Sequence, residues 1–517
     1  MEPTTLKDEL KAALPEGLEC KFRYIQTSPK PCDALFSPPP GQKPEDTKLA
    51  SHLITASVTP EQGATSQDVL VLAVEVLVFT TRRLTTIFVS KADSTGYLPQ
   101  HKPSAVKSIC SAYLKWLSNR LRHKNPSRKL VISLFARSQS QYLFPGSAEN
   151  SSKHVLDDRQ LIKWWARVLH PILANQSNQT SPNNKPEYQG YMTVPDYDKS
   201  ELRSFFPRES LASGRQHWIA GHPLEELAEA RKVSPAAPPR CLLPRFPDDP
   251  KSRFMEDLDE EVGISDESKI HASPSKRKDG KWSSIHDLAR FWEAMEFRQE
   301  CSSGRSVGFL WLVMSPQGHP SASQAQEPNP ESNKLHPPSP PLKSSQPTAK
   351  PPKTKTRRSK KSKKLTGPIV PRKPRLKGSA SPTDTSAQTN AHAETNDALL
   401  LTKDGYDQAM QTLLHLDFAT REVAAHSTAK WVAEVFSLRA LRKDWAWAVV
   451  GTAKPEQATA ENGVAIVNNI GGMLIKKKSK VEVDGTVSGS AETKTELETP
   501  AVNVLGAGMI RKKPKTS

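Results

Sequence analysis

Cysteine is scarce and scattered. Cys20, Cys32, Cys110, Cys241 and Cys301 are the five in a chain of 517 residues, and no two of them form a C-x-x-C pair. That spacing excludes a disulfide framework and a cysteine-built metal site. The 14 histidines contain no H-E-x-x-H, so metal catalysis has no support, and the glycine-lysine phosphate loop of nucleotide-binding proteins is missing. No apolar run reaches the roughly 18 residues of a membrane span, and nothing resembles a signal peptide. These absences predict a soluble, intracellular, reduced protein with no membrane partner.

The excess positive charge is local. The formal net charge is +18, yet the stretch 353–377, KTKTRRSKKSKKLTGPIVPRKPRLK, holds 12 basic residues and no acidic one. Such a run reads as a solvated linker or nuclear-import signal, or as an electrostatic arm with weak DNA contact, and both suit a nuclear protein. Around it, 316–398 is built from Pro, Ser, Gln, Lys and Thr, a mixture that buries too little apolar surface to offset its ordering entropy. We therefore expect a disordered basic linker there.

Apolar residues concentrate before residue 315. CKFRYIQ, DVLVLAVEVLVFTT, LTTIFVSKA, KLVISLFAR and SVGFLWLVM read as strands, being short and rich in Val, Ile, Leu and Phe. Helical spacing appears between them, with Val106, Ile109, Ala112, Tyr113, Trp116 and Leu117 on one stripe of PSAVKSICSAYLKWLSNRL, and a second stripe in DRQLIKWWARVLHPIL. SIHDLARFWEAMEFRQE is a third helix, with a cap expected at Ser283 or Ser284. The pattern predicts a mixed α/β domain over 1–315. Beyond the linker, Met410, Leu413 and Leu414 and then Val423, Trp431 and Val435 recur at helical spacing, so 399–450 is expected as a helical segment packing back on that domain, or as an independent hairpin. In 451–517, VNNIGGMLIKKK from Val467 and VNVLGAGMIRKK from Val502 repeat one apolar, glycine, apolar, basic pattern, read as partner-binding motifs in a disordered tail or as low complexity.

Three segments carry the chemistry. In VSKADSTGYLPQHKPSAVKS a strand ends at Ser90, a turn-rich loop follows, and a helix begins at Pro103 or Ser104. A helix N-terminus offers amides and a positive dipole end to a pyrophosphate, and His101 and Lys102 add charge; an ordinary capped helix with an exposed loop is the plainer alternative. In GRQHWIAGHP, Trp218 taken alone is a core tryptophan. In PRCLLPRFPDDPKSRF, Asp249 caps a helix with Pro250 at its first position, and Asp248 and Lys251 flank that start, where the two would pair.

Together these segments resemble one family, the fungal histone acetyltransferase called regulator of Ty transposition, which is distantly similar to the metazoan CREB-binding-protein acetyltransferases. The resemblance covers residues 1 to about 315 and the helical segment after 399, and is strongest in PRCLLPRFPDDPKSRF. It implies a central mixed β-sheet surrounded by helices and transfer of acetyl from acetyl-CoA, with no metal. By resemblance, Ala92, Asp93 and Ser94, together with His101, Lys102, Pro103, Ser104 and Ala105, hold the acyl coenzyme, His217 contacts it, and Trp218 lines the acetyl group and the lysine channel. Asp249, or next to it Asp248, would draw in the substrate ammonium and accept its proton, and Lys251 would be acetylated by the enzyme itself. Coenzyme contacts between Tyr188 and Glu209 do not transfer, so Tyr191 and Tyr197 stand only as candidates, and Phe205 and Phe206 as core.

The resemblance further implies a nuclear enzyme acting on newly made histone H3 paired with its partner histone, at core-helix and tail lysines. It implies help from a nucleosome-assembly-protein-type chaperone and an anti-silencing-function-type chaperone, in replication-coupled nucleosome assembly and the DNA damage response. Transfer would be direct, in a ternary complex. Cys241 lies close to the acidic pair, but its apolar neighbours raise a thiol's pKa and argue against an acyl-cysteine. The competing reading is a catalytically inactive chromatin adaptor that works through the basic arm and tail motifs.

Overall fold

Strands and helices alternate in the computed structural model, which describes residues 4–59, 67–101, 103–174, 187–212, 217–262, 281–298, 305–316, 398–439 and 445–454. The strands are β1 (Glu19–Thr27), β2 (Lys30–Cys32), β3 (Thr47–Val58), β4 (Val69–Thr80), β5 (Leu84–Ser94), β6 (Lys129–Ala136), β7 (Tyr188–Thr193), β8 (Trp218–Ala220), β9 (Gly308–Met314), β10 (Leu399–Leu401) and β11 (Trp447–Val450). The helices are α1 (Leu6–Ala13), α2 (Ala105–Lys124), α3 (Asp158–Ala174), α4 (Lys199–Leu202), α5 (Arg208–Ala212), α6 (Leu224–Arg231), α7 (Pro239–Leu242), α8 (Pro250–Glu261), α9 (Leu288–Glu296), α10 (Lys403–Leu414) and α11 (Arg421–Leu438). All described residues fall within one compact unit, Met1–Glu456. Lys102, Cys301, the basic arm and both tail motifs lie outside the described residues.

One mixed sheet organises the unit, in the order β10-β1-β3-β4-β5-β6-β9-β7-β8, with β11 also on β1 and β2 on β3. Its middle is buried on both faces, which is why β4 reads as one apolar run, VLVLAVEVLVF, rather than as an alternation. Against one face pack α1, α2 and α3, in a core that includes Leu10, Ile109, Tyr113, Ile132, Trp165 and Leu312. The other face carries two separate clusters. One, around Phe88, Phe246, Met255, Phe291 and Trp311, holds α6, α8 and α9; the other, around Ile25, Leu53, Ala73, Tyr406 and Trp431, holds α10 and α11.

The segment 399–450 supplies both the second cluster and a sheet edge. β10 runs parallel to β1 at Ile25–Thr27 while β11 runs antiparallel to it at Glu19–Phe22, so the two strands lie end to end along one edge of β1. Pairing there satisfies backbone groups that an edge strand leaves open. Met410, Leu413, Trp431 and Val435 are buried, but Leu414 and Val423 are exposed, against the stripe read from spacing.

Three sequence expectations need correction. β5 does not stop at Ser90: it continues to Ser94 across a register shift at which Val76 faces Val89 but Glu75 faces Lys91. The extra residue is a bulge, which re-aims the side chains beyond it. The cap of α9 is Asp287, whose carboxylate accepts from the Arg290 amide at 2.7 Å, not Ser283 or Ser284. A 12-residue strand, β3, went unread because TKLASHLITASV mixes small and polar residues with its apolar ones, and only pairing between β1 and β4 buries it.

Candidate active site

β5 and β6 run parallel, paired from Leu84 with Lys129 to Phe88 with Ser133, and α2 crosses between them. Beyond Phe88 the two strands part, and the gap at their carboxyl ends opens a cleft of about 840 Å³. Ligands favour such places, where strand ends and a following helix N-terminus converge. Val89, Ser90, Ala92, Asp93 and Ser94 from β5 line it, as do Leu134 and Phe135 from β6, His101 to Ala105 apart from the undescribed Lys102, and Trp164, Trp165 and Arg167 from α3. Lys107, Arg137, Lys153 and Arg253 add basic side chains, and Asp93 and Asp248 are the carboxylates of the lining.

Ser104 caps α2, its hydroxyl accepting from the Lys107 amide at 3.5 Å. The first-turn amides of a 20-residue helix thus border a cleft rich in cations. His101 Nε2 is buried without a protein partner. Basic side chains, a helix start and apolar indole and leucine walls together fit a polyanionic ligand with a long, weakly polar arm.

Asp93 turns its carboxylate into the protein. One oxygen accepts from the amides of Tyr142, Leu143 and Phe144 at 2.7, 2.9 and 3.2 Å. The other meets Lys153 Nζ at 2.9 Å and the Ser94 amide at 2.8 Å. Asp93 therefore fixes the loop that forms one wall of the cleft.

The acidic pair divides. Asp249 caps α8 with Pro250 at its first position, accepts from the Lys251 amide at 3.0 Å, and is fully buried. The Lys251 ammonium pairs with Asp249 rather than with Asp248, and lies 4.4 Å over the Phe309 ring. Burial pulls the Lys251 amine below the ordinary lysine range against the opposing attraction of Asp249. Asp248 stands on left-handed backbone, φ 58°, which a non-glycine residue adopts at a cost. Its side chain is about half exposed in the cleft and pairs with Lys91 Nζ at 3.4 Å.

The other expected residues sit apart from the cleft lining. Trp218 is buried on β8 beside Phe206, packed so tightly on Gly190 that a Cβ there would meet its ring at 2.9 Å, and its Nε1 has no protein partner. The His217 carbonyl accepts from the Gly190 amide at 2.9 Å, and its ring lies 5.7 Å from that of His170. Tyr191 donates to Glu226 at 2.8 Å, Tyr197 packs on Phe205, and Phe205 and Phe206 are core.

Glu75, Lys91, Arg137, Tyr142, Lys153, Arg167 and Arg253 were not read from the sequence. Glu75 left a signal, as the lone charge in the β4 apolar run. Burial of the Cys110 thiol in the cleft wall pushes it up to about 12. Burial also raises Cys241, against Arg240 and Arg231, and its thiol lies 3.4 Å from the Pro38 carbonyl. Among the described residues no helix is long and apolar enough to cross a membrane.

Comparison with known proteins gives a consistent result. The model of the histone acetyltransferase KAT11-type domain matches residues 6–125 and 118–434. A histone acetyltransferase rtt109 of Aspergillus flavus is 36% identical, with 99% of each chain covered. One from Schizosaccharomyces pombe is 29% identical over 58% of this chain and 69% of its own. The crystal structure of Rtt109 from Aspergillus fumigatus superposes with a TM-score of 0.66 at 35% identity, covering 87% of this chain and all of that one.

Proposed function

The chain belongs to the KAT11-type histone acetyltransferases of the Rtt109 kind, and from that membership we propose that its cleft takes acetyl-CoA and delivers the acetyl group to a lysine of newly made histone H3 carried with its partner histone. The observation that carries this reading is the cleft at the ends of β5 and β6, whose lining combines cations, the α2 start and a half-exposed carboxylate, Asp248.

Arg137, Arg167 and Lys107 suit the coenzyme's phosphates, with His101, Pro103, Ser104 and Ala105 at the helix start and Ala92 and Ser94 along β5. Bound acetyl-CoA supplies an acetyl thioester, and the substrate amine displaces the thiolate as the new C–N bond forms and the C–S bond breaks. A lysine attacks only as the free amine, although at neutral pH the charged form dominates by about three powers of ten. Asp248 attracts the ammonium and receives its proton, directly or through water. Asp249 joins it when acetylation of Lys251 removes the cation to which it is now bound; a lowered amine pKa suits Lys251 to that reaction. Trp218 and His217, expected at the lysine channel and the coenzyme, lie outside the lining of this cleft and take no contact role in the scheme. Direct transfer is favoured: Cys110 is the thiol in the cleft lining, and burial raises its pKa, while Cys241 lies outside the lining with its thiol on the Pro38 carbonyl.

The wider reading places the enzyme in the nucleus, stimulated by a nucleosome-assembly-protein-type and an anti-silencing-function-type chaperone, acting in replication-coupled assembly and the DNA damage response. The arm 353–377 adds weak DNA contact and the tail motifs engage chaperone or cargo. Labelled acetyl-CoA incubated with the full chain and H3–H4 tests the core of this. Label is expected on H3 and on Lys251, and Cys110→Ala and Cys241→Ala should both keep turnover; loss of turnover with acetyl-CoA binding intact in either would overturn direct transfer. Loss of chaperone stimulation is expected on deleting 460–517, and full stimulation would remove the tail from the scheme.

A further inference from the structure

On β4 the side chains of Ala73, Glu75 and Leu77 share one face by strand alternation. Ala73 belongs to the cluster under α10 and α11, and Leu77 to the cluster under α6, α8 and α9. Glu75 sits between them, 6% exposed, and interrupts what would otherwise be one continuous apolar layer. A charged group in such a place is not explained by stability, because well-packed apolar side chains of similar volume serve a core as well or better.

Its two oxygens have different partners. Tyr406 of α10, itself buried, donates its hydroxyl to Glu75 Oε1 at 3.1 Å. Lys91 of β5 donates to Oε2 at 3.0 Å, from the position directly across the strand pair beside the bulge. The same Lys91 Nζ lies 3.3 Å from Ser90 Oγ, 5.8 Å over the Tyr142 ring and 3.4 Å from Asp248 Oδ2. Burial works against the Lys91 cation, but the Glu75 carboxylate, with Tyr142 and Asp248 beyond it, outweighs that effect and keeps it charged. The row therefore runs Tyr406, Glu75, Lys91, Asp248, from the C-terminal helical segment to the cleft. Asp248 needs such a hold, being on costly left-handed backbone with half its side chain in solvent.

We propose that Tyr406, Glu75 and Lys91 are positioning residues for acetyl transfer: the Tyr406 hydroxyl holds the Glu75 carboxylate, which holds the Lys91 ammonium, which fixes the Asp248 carboxylate toward the substrate amine. The segment 399–450 thereby belongs to the catalytic apparatus and not only to the sheet edge. This rests on the reading of Asp248 given above. It concerns orientation, so its loss appears in the chemical step and not in coenzyme binding.

Steady-state kinetics of the full chain with acetyl-CoA and H3–H4 provide the test, using Tyr406→Phe, Lys91→Met, Lys91→Arg and Asp248→Asn. Tyr406→Phe keeps the ring and removes one hydrogen bond, so kcat is expected to fall about fivefold to tenfold, with the acetyl-CoA KM within about twofold. Lys91→Met should lower kcat further, and Lys91→Arg should recover most of it by restoring the cation. Neither Tyr406→Phe nor Lys91→Met should lower kcat again in an Asp248→Asn background, because residues acting through one group do not add. A lowered kcat for Asp248→Asn alone, with Tyr406→Phe and Lys91→Met at full rate, overturns the row and leaves Asp248 its role. Full rate for Asp248→Asn overturns the reading of Asp248, and the row with it. Additive losses in the double variants show action through another group and also overturn the row. Circular dichroism and thermal melting of each variant separate lost folding from lost positioning, and Lys91→Arg failing to recover kcat in a folded protein counts against the cation's part.

Discussion

Asp249 and Lys251 form an ion pair that is shut off from solvent, the aspartate side chain 0% and the lysine side chain 3% exposed, one residue away from a carboxylate that stands half in water. Removing one partner strands the other, so Lys251→Ala should destabilise the fold by about 3–5 kcal/mol. Lys251→Met combined with Asp249→Asn should cost clearly less than the two single changes added together, since no charge is left alone and Asn still caps α8. Urea denaturation of the unsubstituted protein, Lys251→Met, Asp249→Asn and the double variant closes the cycle. Additive losses would mean that the pair has no coupling.

Asp93 is expected to matter through the loop it ties down. Asp93→Ala leaves the Tyr142, Leu143 and Phe144 amides and the Lys153 ammonium without their acceptor. Losing a buried acceptor for several donors costs on the order of 2–4 kcal/mol. Hydrogen exchange should quicken at those three amides, and acetyl-CoA affinity should fall with it. Unchanged exchange would show that the loop stands without the aspartate.

Arg167 lines the cleft on α3 and has exposed side-chain surface there. If it meets a coenzyme phosphate, Arg167→Gln raises the acetyl-CoA KM by roughly tenfold, the value of one charge-assisted hydrogen bond, and leaves kcat within about twofold. The effect should shrink as salt is added. A fall in kcat with KM unchanged would move Arg167 from binding to chemistry.

His52 predicts a response to acid. It is buried on β3, its Nδ1 2.6 Å from the Tyr24 hydroxyl, and burial, aided by the Arg120 charge, lowers its pKa from 6.5 to about 3. The unfolded chain therefore binds one more proton than the folded one between pH 6.5 and 3, and stability falls as pH drops through that window. For one such group the slope is about 1.4 kcal/mol per pH unit, fully present well inside the window. His52→Gln should flatten the loss measured by urea midpoints between pH 6.5 and 4.5, and an unaltered slope would assign it to other groups.

Much of the frame was legible in the chain. The five apolar strand segments correspond to β1, β4, β5, β6 and β9, because a strand or a helix writes its own period into neighbouring residues. The helix starts were legible for the same reason: Ser104 before α2 and Asp249-Pro250 before α8 are local solutions to unpaired amides. β3 was not, because small and polar residues break up its apolar ones, and β10 and β11 were not, because they pair with β1 from the far end of the described chain. The cleft was legible in part, through Ala92 to Ser94 and the turn into α2, while Arg137, Tyr142 and Arg167 escaped notice because only the fold brings their loops and helix to the ends of β5 and β6.

By itself the sequence determined the alternation of strands and helices, the family, and the presence of two adjacent aspartates ahead of a capped helix. Tertiary structure alone decided what each aspartate does. Neighbours of identical chemistry part company through one backbone angle and two different partners, the buried Lys251 two residues on for Asp249 and Lys91, brought to the cleft from β5, for Asp248. Local sequence carries steric preference over a few residues, whereas charge pairing and burial depend on what the folded chain brings alongside, as Tyr406 reaches Glu75 across 331 positions.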